Sequence, residues 1–251
     1  MTQRVLVTAG AAGIGLVIAR SFAAAGARVH IADIDAAAVR AATADGRLSG
    51  SVADVAGPDD VARLIDEAAH ALGGLDVLVN NAGIAGPTAP VAEYGIADWQ
   101  RVVEVNLNGT FYVTRAAIPL LRASPRASIV IMSSLAGRFG YANRAAYSAT
   151  KWALVGLAKT LALELGPAGI TCNTVHPGAV EGPRLQGVFE GRAQRSGRTV
   201  AEEVDAALAN QSMKRFVDPQ DIAELVRFLA GPHGRSISGQ AFPIDGDSKS
   251  A

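Results

Sequence analysis

Tyr147 and Lys151 stand four residues apart in Tyr147-Ser148-Ala149-Thr150-Lys151, one helical turn and therefore one face. A tyrosine hydroxyl ordinarily ionises near pH ~10 and is a poor base at neutrality. An ammonium one turn away favours the phenolate and makes the hydroxyl a usable proton shuttle. Ser134, thirteen residues earlier in Ile131-Met132-Ser133-Ser134, ends an apolar run that reads as a strand, which would carry its hydroxyl to the same crevice. There it could hold a carbonyl oxygen while Tyr147 exchanges a proton with it. A lone Tyr-x-x-x-Lys is usually only a helix face. The serine and the motifs that follow give this one chemical weight.

A second cluster suits a dinucleotide. Val7-Thr8-Ala9-Gly10-Ala11-Ala12-Gly13-Ile14-Gly15 joins a first strand to a first helix. Glycines there permit a tight turn and let backbone N–H groups approach a pyrophosphate at the helix N-terminus. Asp33 ends the second strand, eighteen residues after Gly15, at the distance where an acid meets an adenosine ribose. A carboxylate there accepts from both ribose hydroxyls and repels a 2′-phosphate. Neither Ala12 nor Ile34 offers a basic side chain to welcome that phosphate. The pattern points to NAD rather than NADP; the bland alternative is a solvated strand end beside Asp35, a simple helix cap.

These groups need elements to hold them. Strand-like runs at 4–7, 28–32, 48–52, 75–79, 128–132, 170–175 and 241–244 alternate with helical stretches at 14–25, 36–44, 99–121, 147–165 and 222–229. Gly26 and Gly46 read as helix stops, Pro58 opens a helix between the third and fourth strands, and Asp218-Pro219 caps the last one. Repeated alternation implies an α/β fold, a doubly wound parallel sheet with helices on both faces. An eight-fold barrel is the rival; the glycine loop after the first strand favours the open sheet. Residues 182–213 are rich in Arg, Gly and Gln, lack strand signals and read as an inserted substrate lid on a single domain.

Composition sets the outer limits. With 49% hydrophobic and 18% charged residues over 251 positions, the chain can bury a core and is not disordered. Lys plus Arg and Asp plus Glu both number 23, which argues against a nucleic-acid binder. The single cysteine, Cys172, excludes an intramolecular disulfide. No apolar run reaches the ~18 residues of a membrane span, and the N-terminus lacks a signal-peptide pattern. A cytoplasmic location is expected.

Taken in order, the motifs resemble those of the short-chain dehydrogenases/reductases over essentially the whole chain. Thr8 to Gly15 resembles the family's Thr-Gly-x-x-x-Gly-x-Gly loop, and Ala53-Asp54-Val55 the stretch whose Asp contacts adenine. Asn80-Asn81-Ala82-Gly83 is similar to the Asn-Asn-Ala-Gly that lines the cofactor groove; Asn106 matches the site of the catalytic Asn that holds a water in the proton relay. Ser134, Tyr147 and Lys151 complete that tetrad, and His176-Pro177-Gly178-Ala179-Val180 resembles the turn that meets the nicotinamide amide. The resemblance implies a Rossmann-like NAD-dependent alcohol dehydrogenase, with Gly10, Gly13, Ile14, Gly15, Asp33, Asp54, Val55, Asn81, Ala82, Gly83, Tyr147, Lys151, Pro177, Gly178 and Val180 lining the cofactor. It also implies a homotetramer built through the 99–121 and 147–165 helices. Two positions depart: Ala9 replaces the loop's first glycine, and Gly182 stands where a Thr usually follows the Pro-Gly turn.

An NADPH-dependent ketone or 3-oxoacyl reductase is the runner-up, disfavoured by Asp33. A nucleotide-sensing regulator is a third reading, disfavoured by the intact tetrad. For the substrate, an alcohol or ketone, Arg138 and Arg184 are the candidates for holding an anionic group, among a basic set that includes Arg144, Arg192, Arg195 and Arg198. Solvated loop charge is the bland reading of the same set. His30, His70, His176 and His233 share no metal-ligand spacing, so no metal is expected; His176 reads as a backbone-bonded turn residue and Cys172 as inert core.

Overall fold

The computed structural model describes residues 2–250, apart from the side chains of Pro183, Arg184 and Arg195. Seven strands, β1 (Arg4–Thr8), β2 (Arg28–Asp33), β3 (Ser49–Val52), β4 (Val77–Asn80), β5 (Ser128–Met132), β6 (Thr171–Pro177) and β7 (Ala241–Ile244), form one sheet in the order β3-β2-β1-β4-β5-β6-β7. Every pairing is parallel. The order reverses between β1 and β4, the topological switch where doubly wound sheets open a crevice at their carboxyl ends.

Strand alternation divides the core in two. Leu6, Leu78, Ile129, Ile131 and Cys172 face one layer, with α3 (Pro58–Leu72), α5 (Gly109–Arg122) and α6 (Ala145–Leu165). Val5, Val7, Val77, Val79, Val130, Met132 and Val175 face the other, with α1 (Gly13–Ala24), α2 (Ala36–Thr43) and α9 (Pro219–Leu229). Both faces are covered, so the strands read as continuous apolar runs rather than half-polar ones. Burial pushes the Cys172 thiol up to about 12, consistent with an unreactive core residue.

Two stretches differ from the periodicity. The 99–121 run is helical throughout but shifts register once: α4 (Ile96–Val103) passes through a π turn, Glu104–Asn108, into α5. Residues 182–213 are largely helical, as α7 (Pro183–Ser196) and α8 (Val200–Ala209). Thr199 and Glu202 form a reciprocal capping box at the start of α8, a Thr-x-x-Glu signal present in the sequence.

His30 illustrates how the sheet handles a buried polar group. Its Nδ1 lies 2.9 Å from Ser49 Oγ and its Nε2 2.8 Å from Ser51 Oγ, and Ser51 in turn donates to Glu67. Burial lowers the imidazole to about 4, against a smaller upward pull from Glu67. An unfolded histidine titrates near ~6.5. The neutral ring therefore supports the fold fully above that pH, and the contribution is lost as pH falls toward 4. Between pH 7 and pH 5, denaturant titration should show the wild type losing about 2 kcal/mol more than His30→Asn. Equal losses would remove His30 as the cause.

Candidate active site

The glycine loop is clamped from β4. Thr8 Oγ1 accepts from Asn81 N and Ala82 N, each at 3.0 Å, and Asn81 Nδ2 donates to the carbonyls of Thr8 and Ala9, each at 3.1 Å. Ala9 adopts φ 47, the left-handed region that glycine enters freely. Holding an alanine in this conformation costs about 1 kcal/mol relative to glycine. At Gly15 a Cβ would lie 2.1 Å from Ala9 O, so the helix start and the loop are in direct backbone contact.

No side chain caps α1 at Ala12, and its first turn contains no acid. Its leading N–H groups suit a phosphate anion. Asp33 reaches the same loop: its Oδ2 accepts from Ala11 N at 3.2 Å and its Oδ1 from Asp35 N at 3.2 Å. Asp54 is held more tightly than its sequence suggests, with Oδ2 3.0 Å from Arg101 Nη2 and Oδ1 accepting from Ala56 N. Val55 is buried against Gly109. These residues fit an adenine dinucleotide: open helix amides for the pyrophosphate, and a carboxylate at the end of β2 for the ribose.

The tetrad positions come from three elements. Asn106 sits in the π turn, fully buried; its Oδ1 accepts from Ile84 N at 2.8 Å, and its Nδ2 donates to Ile84 O at 3.0 Å and Thr150 Oγ1 at 3.1 Å. A π turn rotates one residue out of helical register, and such turns occur often at functional sites. Lys151 Nζ donates to Met132 O at 2.8 Å and lies 5.6 Å from the centre of the Tyr147 ring. A Cβ on Gly83 would approach both Lys151 Nζ and Asn106 Oδ1 to 3.3 Å, so the two groups meet close to this backbone and a side chain there would crowd both. Ser134 follows β5, and its Oγ accepts from Ala136 N at 3.2 Å, leaving its own O–H to donate.

His176 lies within β6 rather than in a turn, completely buried. Ser134 O can only accept, so the 3.0 Å contact assigns the proton to Nδ1, and Nε2 then accepts from Thr174 Oγ1 at 2.8 Å. Burial holds the ring below its ordinary value. The Pro177-Gly178 turn packs so closely on Asp245 that a Cβ at Gly178 would meet its Cα at 2.8 Å. Val180 pairs in parallel with Val217. Gly182, with φ 143 and ψ 176, occupies a conformation open essentially to glycine alone. A Thr at this position would require a different backbone path.

Of the two candidate substrate arginines, Arg138 is already paired, its Nη1 2.9 Å from Asp245 Oδ2. The Arg184 side chain lies outside the described residues. Among those described, no group of three His, Cys, Asp or Glu residues is placed to hold a metal, and no helix is long and apolar enough to cross a membrane. The sequence reading passed over the clamp from Thr8 and Asn81, the Thr150 support for Asn106, and the pairing of Arg138.

The family described as Enoyl-(Acyl carrier protein) reductase matches residues 9–246. D-beta-hydroxybutyrate dehydrogenase of Rhizobium meliloti (strain 1021) is 32% identical over 254 residues, covering 98% of each chain. A 3-alpha-(or 20-beta)-hydroxysteroid dehydrogenase of Mycobacterium tuberculosis (strain ATCC 25618 / H37Rv) is 36% identical over 244 residues, covering 96% of this chain and 87% of the relative. Among solved structures, F189W actinorhodin polyketide ketoreductase with NADPH matches at a TM-score of 0.92 and 34% identity, over 98% of this chain and 96% of that one. NAD+-bound xylitol dehydrogenase matches at 0.92 and 30%, over 97% and 98%. With its single-domain Rossmann-like sheet and these relatives, the chain belongs to the short-chain dehydrogenase/reductase family. It is an oxidoreductase that moves hydride between an alcohol or ketone and a nicotinamide cofactor.

Proposed function

We propose that the protein is an NAD-linked dehydrogenase of a secondary alcohol, with Tyr147 as general acid/base. The observation that carries the cofactor choice is Asp33, tied through Ala11 N to the glycine loop, with no basic side chain at Ala12 or Ile34. The bound cofactor would supply the hydride acceptor. The Tyr147 oxygen takes the alcohol proton, Lys151 stabilises the phenolate from its anchor on Met132 O, and the free Ser134 O–H donates to the substrate oxygen. Asn106 holds the π turn in place beneath Lys151 and anchors the water-borne relay by which the proton leaves. Gly10, Gly13, Ile14, Gly15, Asp54, Val55, Asn81, Ala82, Gly83, Pro177, Gly178 and Val180 line the cofactor groove, with α7 and α8 as the lid over the substrate.

The NADPH-bound ketoreductase relative gives the competing reading some support. Fluorescence titration separates the two. NADH should bind at least ~10-fold more tightly than NADPH, and Asp33→Ala should reduce that ratio by a similar factor. A wild-type preference for NADPH would overturn the NAD assignment.

Exposed apolar side chains on α4, α5 and α6 support a homotetramer: Ile96, Trp99, Phe111, Trp152 and Leu163. The lone buried Cys172 is compatible with a reducing, cytoplasmic setting. The relatives' names leave the substrate open, since one acts on a hydroxy acid and another on a hydroxysteroid.

A further inference from the structure

The arginines around the site sort by their partners. Arg138 meets Asp245, and Arg198 Nε lies 3.8 Å from Glu203 Oε1. Arg144 and Arg192 differ: among the described residues, neither comes within 4.0 Å of a carboxylate oxygen. Both line one cavity of roughly 400 Å³, walled also by Thr88, Tyr141, Asn143 and Gly187.

Each guanidinium is oriented but not used up. Arg144 Nη1 donates to Gly86 O at 3.1 Å, and Arg192 Nη2 donates to the Tyr141 hydroxyl at 3.1 Å. Arg144 Cζ lies 6.0 Å from the Tyr141 ring centre and Arg192 Cζ 5.9 Å from that of Phe189. A guanidinium has five N–H donors, so most on each side chain have no acceptor among the described residues. The wall behind them is fixed as well. Asn143 takes the left-handed conformation, φ 62, and its carbonyl accepts from Ala89 N at 3.0 Å, which ties the two loops together. Gly187 leaves open space where a side chain would stand.

Position links the cavity to the chemistry. Arg144 is the residue from which α6 starts, less than one helical turn before Tyr147. Arg192 reaches the same loop from α7 through Tyr141. Two half-buried cations that line one cavity with no described carboxylate in ion-pair contact favour an anion that completes them.

We infer that this cavity is an anion subsite, in which Arg144 and Arg192 together grip the carboxylate of a hydroxylated organic acid whose carbinol reaches Tyr147. Phosphate and sulfonate share this chemistry and serve as competing arms in the test. The placement of the carbinol rests on the dehydrogenase reading above; the binding of the anion does not.

The test is calorimetric titration, with and without NADH, using cyclohexanecarboxylate, which has no hydroxyl to oxidise, against cyclohexanecarboxamide, which lacks the charge. The acid should bind at least ~10-fold more tightly than the amide, and Arg192→Met should remove most of that ratio. Arg144→Met should act alike, and Arg192→Lys should recover part of the ratio. Inorganic phosphate and methanesulfonate should compete with the acid. Equal affinity for acid and amide, or an unchanged ratio in Arg192→Met with a normal melting curve, overturns the subsite. Turnover of 4-hydroxycyclohexanecarboxylate with NAD+ tests the other reading separately. Carboxylate binding with no turnover of any alcohol would defeat the dehydrogenase reading and leave the subsite standing.

Discussion

Tyr147→Phe is expected to lower kcat for alcohol oxidation by at least ~10³-fold while NADH affinity changes by less than about threefold. The substitution deletes one oxygen and keeps the ring that stands 5.6 Å from Lys151 Nζ, so packing of α6 is retained. Without the phenolic oxygen, the alcohol proton has no acceptor at the reacting carbon. Ser134 can still donate to the substrate oxygen but cannot replace that base, because an aliphatic hydroxyl is a far weaker acid than a phenol and does not supply the alkoxide that would take the proton. An NAD+-coupled absorbance assay with parallel NADH titration distinguishes lost chemistry from lost binding. Turnover within tenfold of wild type would remove Tyr147 from the reaction.

Gly15→Ala should abolish cofactor binding, with a loss in NADH affinity of at least ~100-fold. The added methyl would lie 2.1 Å from Ala9 O and 2.5 Å from Asn81 Nδ2, so the loop and its clamp must both move. Overpacking against backbone has no flexible side chain to absorb it and costs several kcal/mol. Gly156→Ala is the control, since a Cβ on that exposed turn of α6 meets nothing within 4 Å. Fluorescence titration of both, beside their melting curves, reads the outcome. Near-normal NADH binding in Gly15→Ala would mean that the pyrophosphate does not pass this loop.

The sheet, its two helical faces and the placement of Ser134 just past β5 and of Tyr147 and Lys151 on the first turns of α6 were legible because strand and helix periodicities differ and each motif falls at an element boundary. What escaped depended on tertiary position. The break at Glu104–Asn108 has no Pro or Gly inside it to mark it; the π turn is held by Asn106 bonding to Ile84, residues that lie apart in the chain. The α7 stretch is strongly polar, so periodicity gave no helix there; α8 is not polar, and its start, like that of α7, was marked only by local signals, Pro183 for α7 and the Thr199–Glu202 box for α8. The arginines could be listed from the sequence but not sorted. Arg138 is taken by Asp245, which stands 107 residues away, and only folded distances separate it from Arg144.

Strand order also governs how this chain can assemble. β1 pairs with β2 across a short connection, yet its other neighbour is β4, with Val5 set against Val77. During synthesis from the N-terminus, β1, β2 and β3 can associate while β1 still presents Val5, Leu6 and Val7 along an open edge. Apolar edges of this kind invite pairing with other chains, and long-range parallel pairing is slow. The arrival of β4 closes that edge, and the same event brings Asn81 onto Thr8 and Ala9. Closure of the apolar edge and completion of the clamp that Asn81 places on Thr8 and Ala9 are therefore a single step in assembly.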